Sequence, residues 1–389
     1  MKRQNNNNLR FVVIIAICCI CVGSTAQDKR NLFNPVNTGV TSLSISSDAT
    51  GMALGDNGVA TSPDNQSQYW NPAKYVFSTS RGSIGHSVKP WLRSPVKDMW
   101  KTNATGFYQF KGNAISASWN FFSLGKVYLS DSDDANTIHP REYSIELAYS
   151  RQIGREHAVA LTARYVHSDI TYDYTAESTP GKAFSMDLSY YWAHQTSIGH
   201  LNVGAALKNI GTKISYGGDE NAEFIPTSLS VGTGFCAHIH REHQFGIYLQ
   251  LDKLLVPTYP KQKYDECDED YTDRVQTEYY DVSPIKGIFN SFHDAPNGFK
   301  EEMKEITCAI GVEYCLFRHY LFRQGIHLEA RDKGNRKYCS FGMGVRFNPI
   351  EANISYIRTI SNNPLDKTIC ADFAFRLPLR FGRPKVFQQ

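Results

Sequence analysis

From about residue 80 to the end of the chain, apolar and polar positions alternate one by one in segment after segment. Tyr143, Ile145, Leu147 and Tyr149 alternate with Ser144, Glu146, Ala148 and Ser150, and Val159, Leu161, Ala163 and Tyr165 with Ala160, Thr162 and Arg164. The same pattern returns at 184–192, 229–235, 245–251, 339–347 and 369–379. A strand sends side chains to opposite faces at every step, whereas a helix returns its apolar face every third or fourth residue. The pattern therefore predicts strands throughout, an all-β chain. Alternating runs of about nine to eleven residues suit a tilted membrane crossing. Tyr149, Tyr165, Tyr190 and Trp192 close several apolar faces, where an interfacial girdle places aromatic side chains. Short polar links such as Arg151–Glu156 alternate with long ones, as when two rims face different compartments.

A soluble β-sandwich alternates too, but two features favour a transmembrane antiparallel β-barrel. The polar face is rich in Gly, Ser and Ala, which suits a crowded or wet lumen, and the strands recur without a second compositional regime. At roughly 20–25 residues per strand and connection, the length corresponds to about 12–16 strands, with even counts usual. Beyond the N-terminal stretch, no run of about 18 uncharged apolar residues reads as a membrane-spanning helix. The mean hydropathy of −0.39 does not oppose a barrel, since only every second residue of its strands meets lipid.

Two segments break the pattern. Residues 253–304 are rich in Asp, Glu, Lys and Tyr, and a link this long tends to be functional. Its tail (Ile285, Ile288, Phe289, Phe292, Phe299, Met303) is amphipathic and fits short helices over a rim. The other irregular segment, 27–80, precedes the barrel proper, which is assigned to 81–389.

The first 26 residues stand apart. Lys2, Arg3 and Arg10 give a basic start, Phe11–Val22 is apolar, and Ser24 and Ala26 form a small-x-small exit. These are the parts of a cleaved secretory signal peptide. Cys18, Cys19 and Cys21 lie inside the apolar run, unlike the cysteine of a lipoprotein signal. Removing residues 1–26 leaves 38 Lys+Arg against 38 Asp+Glu, so there is no basic excess for nucleic acid. Six cysteines remain: Cys236, Cys267, Cys308, Cys315, Cys339 and Cys370. An exported chain can pair an even number, but their spacings match no zinc pattern. Asp48, Asp56 and Asp64 are not spaced as a calcium loop. His238, His240 and His243 flank Arg241-Glu242, which reads as a polar turn rather than a metal site. The chain has no GxSxG, HExxH or phosphate-loop motif, so no catalytic residue, metal or cofactor site is assigned and the chain is not read as an enzyme.

The segment Asp48–Phe77 reads DATGMALGDNGVATSPDNQSQYWNPAKYVF. Gly51, Gly55 and Gly58 do not fit a dinucleotide fingerprint; glycine this dense suits close backbone packing or positive φ in a confined space. The motif resembles the N-terminal motif of the PorV family, outer-membrane proteins of the type IX secretion system, which are similar in turn to long-chain fatty-acid transporter barrels. The resemblance implies fourteen strands and an N-terminal plug in the lumen, carrying Asp48, Gly51, Gly55, Asp56, Gly58, Asn71 and Pro72. It further implies residence in the outer-membrane lipid and a shuttle role. The barrel would bind the C-terminal signal domains of secreted proteins and carry them from the translocon barrel to a surface sortase. The expected contact surface is the 253–304 loop, with Tyr264, Tyr271, Tyr279, Tyr280, Phe289 and Phe292, helped by rim loops near 130–140 and 172–182. Tyrosines supply contact area with a polar handle. The alternative is a transporter of hydrophobic small molecules such as fatty acids, which needs an apolar pocket and an opening in the wall; a lipid-acting membrane enzyme ranks last. Outer-membrane barrels commonly end on an aromatic residue. Here the last strand closes near Phe381 and Gly382–Gln389 follow, which leaves the identity of the last strand open.

Overall fold

The computed structural model describes residues 34–92, 96–128, 137–170, 179–217, 222–240, 242–263, 265–296, 298–361 and 363–378. The expected signal peptide, Tyr264 and Phe381 lie outside the described residues.

Fourteen antiparallel strands close into one ring. In chain order they are β1 (Ser80–Pro90), β2 (Trp100–Phe110), β3 (Asn113–Ser123), β4 (Arg141–Ile153), β5 (His157–Asp169), β6 (Gly181–Gln195) and β7 (Gly199–Gly211). There follow β8 (Ser228–His240), β9 (His243–Leu254), β10 (Ile306–Leu316), β11 (Tyr320–Leu328), β12 (Tyr338–Phe347), β13 (Ile350–Thr359) and β14 (Ile369–Pro378). Each pairs with its neighbour in sequence, and β1 pairs with β14 through Ile84 opposite Phe375 and Val88 opposite Ala371. Closure leaves no sheet edge, as backbone amides in hydrocarbon require. The last described strand ends at Pro378, three residues before the aromatic residue expected to close it.

The alternation is that of a membrane barrel, apolar outside and polar within. Leu147, Leu161, Phe184, Met186, Ile354 and Phe373 are exposed on the outer face, whereas Glu146, Arg164, Asp187, Gln250 and Ser340 are buried on the inner one. A soluble sandwich buries its apolar face; here the buried face carries the charges. Arg164 donates through Nε to Glu146 at 2.9 Å and through Nη2 to Asp187 at 2.6 Å, so its charge is matched on neighbouring strands. Aromatic rings gather at the two ends of the strands. Trp100 and Phe121 lie 5.3 Å apart near one rim, as do Tyr165 and Phe184 at 5.1 Å; Tyr108, Phe110, Tyr190 and Trp192 lie near the other.

The rims differ. At one, strands are joined by two or three residues (111–112, 154–156, 196–198, 241–242, 317–319, 348–349). At the other every connection has nine residues or more, and 255–305 is the longest. Outer-membrane barrels turn their short links to the periplasm and their long loops outward.

The segment before β1 is not a strand. It contains a helix α1 (Ala49–Ala53), a second α2 (Ser67–Trp70) and a 3₁₀ turn (Pro72–Phe77). Side chains from strands all around the ring hold it. Lys89 Nζ on β1 donates to Ser46 O, Lys101 Nζ on β2 to Ser42 O, Ser150 Oγ on β4 to Pro72 O, and Tyr191 OH on β6 to Thr61 O. On the far side Gln250 of β9, His327 of β11, Ser340 of β12 and Asp372 of β14 bond its backbone.

Candidate functional site

Two regions carry the residues expected to matter, the N-terminal segment and the long loop. In the first, Asp48 is an N-cap. Its carboxylate accepts from the backbone N–H of Thr50 and Gly51, both at 2.8 Å, and from Trp70 Nε1 at 2.7 Å. The cap satisfies helix donors that have no partner of their own, and the indole bond draws α2 against α1. Gly58 makes this approach possible, since a Cβ there would stand 2.2 Å from the Trp70 ring. Gly55 has φ +83 and donates its N–H to Ser340 Oγ at 3.0 Å; a side chain there is strained and would meet Ile326 O at 2.6 Å.

Asp56 also lies in the left-handed region, at φ 62. It accepts hydrogen bonds from Ser46 Oγ at 3.0 Å and from the Tyr338 hydroxyl. Asn71 caps the 3₁₀ turn by accepting from Ala73 N, while its amide donates to Val59 O at 3.0 Å and Tyr190 O at 2.8 Å. Pro72 follows as the first residue of that turn, where a missing N–H costs nothing. Lys74, buried, donates to Gly58 O and Thr61 Oγ1. The structure thus holds Asp48, Gly51 and Asn71 in the segment's own caps, Asp56 through Ser46 and Tyr338, and Gly55, Gly58 and Pro72 through side chains of the wall. The receptors on the wall (Gln250, His327, Ser340, Asp372) had no signal in the sequence; each is one polar residue at an inward position among many.

Residues of the segment line two cavities. Toward the long loops lies a cavity of about 250 Å³, whose lining includes Asp56, Lys208, Asp252, Lys333 and Arg336. Toward the short turns lies one of about 800 Å³, with Thr50, Leu54, Asp64 and Phe77 of the segment along one side. Both linings carry charged side chains.

The long loop begins two residues later than its sequence bounds, since Lys253 and Leu254 are still part of β9. It holds helices α3 (Asp268–Val275), α4 (Pro284–Asn290) and α5 (Phe299–Glu302), with a π-helical turn Gln276–Tyr280 between the first two. Asp268, Glu269 and Asp270 fill the first turn of α3, where acids favour the helix dipole. Arg274 clasps Glu266 at 2.7 Å and holds its carboxyl down at about 2. Glu302 and Glu305 bind Lys253 at 3.0 and 2.6 Å, and Glu301 and Glu305 bind Lys333, so the end of the loop is tied to β9 and to the β11–β12 connection. Burial pushes the Asp294 carboxyl up to about 6, against the hydrogen bond it accepts from Thr258 N at 2.7 Å; Glu302 and Glu305 add to the rise.

The residues expected to grip a partner divide. Tyr279 is buried: its ring packs on Phe224 and Tyr259, and its hydroxyl donates to Glu223 at 3.1 Å. Tyr280 packs edge-on against Tyr279 and reaches the same Glu223, while Lys213 Nζ donates to the carbonyls of both. Tyr271 donates to Pro260 O under the Arg274 guanidinium. These three tyrosines hold the loop's own structure. The aromatic surface left outside is phenylalanine: Phe289 is 69% exposed, Phe299 77%, and Ile285, Phe292 and Met303 are exposed with them. Beside Ile285 runs a shallow groove of about 540 Å³ between Gly211–Lys213 and Tyr280–Ile285.

Among the described residues no cluster of His, Cys, Asp and Glu is arranged to hold a metal ion. Cys236, Cys267, Cys308, Cys315 and Cys370 form no disulfide.

A family model described as type IX secretion system protein PorV matches residues 25–262, more than half of the chain. No curated protein matches it. Among solved structures, a TodX deltaS2S3 mutant, titled a monoaromatic hydrocarbon channel, aligns with TM-score 0.52 at 11% identity, over 85% of this chain and 98% of its own. The Pseudomonas putida toluene transporter TodX aligns with TM-score 0.49 at 8% identity, over 83% and 95%. A Pseudomonas aeruginosa FadL homologue gives 0.40 at 9%, over 88% and 97%. At 11% identity the first of these shows a shared barrel fold.

Proposed function

The chain belongs to the PorV family of type IX secretion system proteins, and on that premise we propose that it shuttles cargo in the outer membrane. At its long-loop rim it binds the C-terminal signal domains of secreted proteins, and it carries them from the translocon to the surface sortase. The observation that supports this reading is the apolar ridge of Ile285, Phe289, Phe292, Phe299 and Met303. Loop residues of this kind serve no core, and contiguous exposed apolar surface marks an interaction site. Tyr279, Tyr280 and the Lys253 and Lys333 ion pairs keep the ridge on a built platform, which lowers the ordering cost of binding.

The N-terminal segment acts in this reading as a plug that blocks the lumen while the rim does the binding. Transport of hydrophobic molecules would need an apolar route, yet the lining carries Lys, Arg, Asp and Glu toward the long loops and Arg, Asp and Glu toward the short turns.

A photo-crosslinking residue placed at position 289 tests the proposal. It should yield a covalent adduct with a secreted protein's signal domain, whereas the same residue at the lipid-facing position 161 should yield none. Absence of the adduct at 289, in cells that still anchor cargo, would contradict the assignment.

A further inference from the structure

We infer that the outer face at the short-turn ends of β1 to β5 is a binding belt for anionic phospholipid headgroups of the periplasmic leaflet. Four cations stand there: Arg81 at the start of β1, Lys111 in the β2–β3 turn, Arg151 near the end of β4 and Arg155 in the β4–β5 turn. All four are exposed, and none is ion-paired among the described residues. Across these strand ends and turns the one described acid is Glu156. It is already held by Trp192 Nε1 at 3.1 Å and by His194 Nδ1 at 3.0 Å.

Register gathers the cations just beyond the aromatic rings of this rim. Arg151 lies opposite Asn113, and Lys111 sits in the two-residue turn that Phe110 and Asn113 close, so the two charges flank one point. That point is built. Lys111 and Gly112 have φ 44 and 76, as a tight hairpin turn requires. Asn113 Nδ2 donates to Lys111 O at 3.1 Å, and Tyr149 OH donates to Asn113 Oδ1 at 2.7 Å. Arg151 is two residues past Tyr149 on the same face of β4, and the Arg81 guanidinium lies over the Tyr108 ring at 5.1 Å. Girdle aromatics sit at headgroup level, and two residues of strand rise about 7 Å, which brings Arg151 among the phosphates. On the membrane side of the same rings, Ile115, Leu147 and Leu161 are exposed to the acyl chains. Guanidinium and ammonium groups bind phosphate, and cations close to a leaflet draw its acidic lipids. Short links face the periplasm in outer-membrane barrels, so the lipids in reach belong to that leaflet. The belt lies at the rim away from the apolar ridge and does not rest on the shuttle reading.

The test uses the full chain in neutral-detergent micelles, exchanged against equal amounts of phosphatidylglycerol and phosphatidylcholine. Native mass spectrometry then counts the bound lipids. Both carry a phosphate, but only phosphatidylglycerol has a net negative charge, and its adducts should predominate. Lys111→Gln with Arg151→Gln should lower that preference at least about fivefold, the effect of one cation near an acidic leaflet. Arg81→Gln with Arg155→Gln reads the other half of the belt. Lys286→Gln with Lys300→Gln removes the same charge from the long loop and should leave the preference unchanged. All variants are first shown to keep a heat-modifiable gel shift. Equal adducts of the two lipids on the unaltered chain overturn the belt, as does a preference that survives both rim variants. An equal loss in the long-loop variant overturns its location. Displacement of phosphatidylglycerol by the same concentration of glycerol phosphate, the headgroup without acyl chains, overturns the lipid.

Discussion

Gly58 and Trp70 meet at a distance that admits no side chain on the glycine, and that contact fixes how α1 and α2 lie against each other. Gly58→Ala should cost about 1–3 kcal/mol, the usual penalty of overpacking a filled site. It should lower the temperature at which the folded band disappears in detergent gels. Asp48→Ala removes a helix cap, worth about 1 kcal/mol, together with the Trp70 bond, so it should lower that temperature further than Asp48→Asn, which keeps one acceptor oxygen. The same gel series checks both. At this scale the close packing of Gly51, Gly55 and Gly58 was legible, because dense glycine marks a confined backbone, whereas Asp48 and Asn71 stood out only through the family resemblance and not as caps. The receptors on the wall were not legible: Gly55 meets Ser340 and Ala49 meets Asp372 across some 300 positions of sequence. The tyrosines misled for a related reason. Composition says that Tyr279 offers an interface, but not that the interface is with Glu223 and Phe224 of its own chain.

The long loop is the element whose behaviour is most open to test. Asp294 has a folded pKa of about 6, above the ordinary 3.8, so the folded loop holds its proton more tightly than the unfolded one. The loop is therefore most stable below the ordinary value and loses stability as the pH rises from about 4 to about 6. Glu266 has the opposite shift, and its tie to Arg274 is present throughout that window, lost only as the pH falls toward 2. Protection of the Thr258 amide against hydrogen exchange, corrected for intrinsic rates, should fall between pH 4 and 6. Asp294→Asn should flatten that dependence; an unchanged slope would place its origin elsewhere. Strand identity was plain where large apolar residues alternate, as in β4 to β6 and β14. It was faint in β1, where serine and glycine occupy many positions, and in β7, where glycine and alanine do, so that these strands are identified by their pairing. The helices of the loop were half legible, since the apolar spacing of residues 285–303 marks α4 and α5, whereas the first turns of α3 are Asp, Glu, Tyr and Thr with no apolar stripe.

The whole molecule separates its tasks by rim. A ring with an apolar outer face accounts for residence in the outer membrane, and inward side chains of several of its fourteen strands bond the N-terminal segment. Short turns keep one rim lean, while the other carries the ridge of Ile285, Phe289 and Phe299. The barrel was legible from alternation taken together with the Gly, Ser and Ala of the polar face and the unbroken recurrence of strands. The shuttle role rests on family membership and on that ridge. Replacing Ile285, Phe289 and Phe299 together by Ser leaves the strands and the loop's ion pairs untouched. Cells carrying this variant should show an unchanged heat-modifiable barrel, while surface anchoring of secreted proteins falls by most of its value. Anchoring at the original level, with all three apolar side chains removed and the barrel folded, would contradict the account.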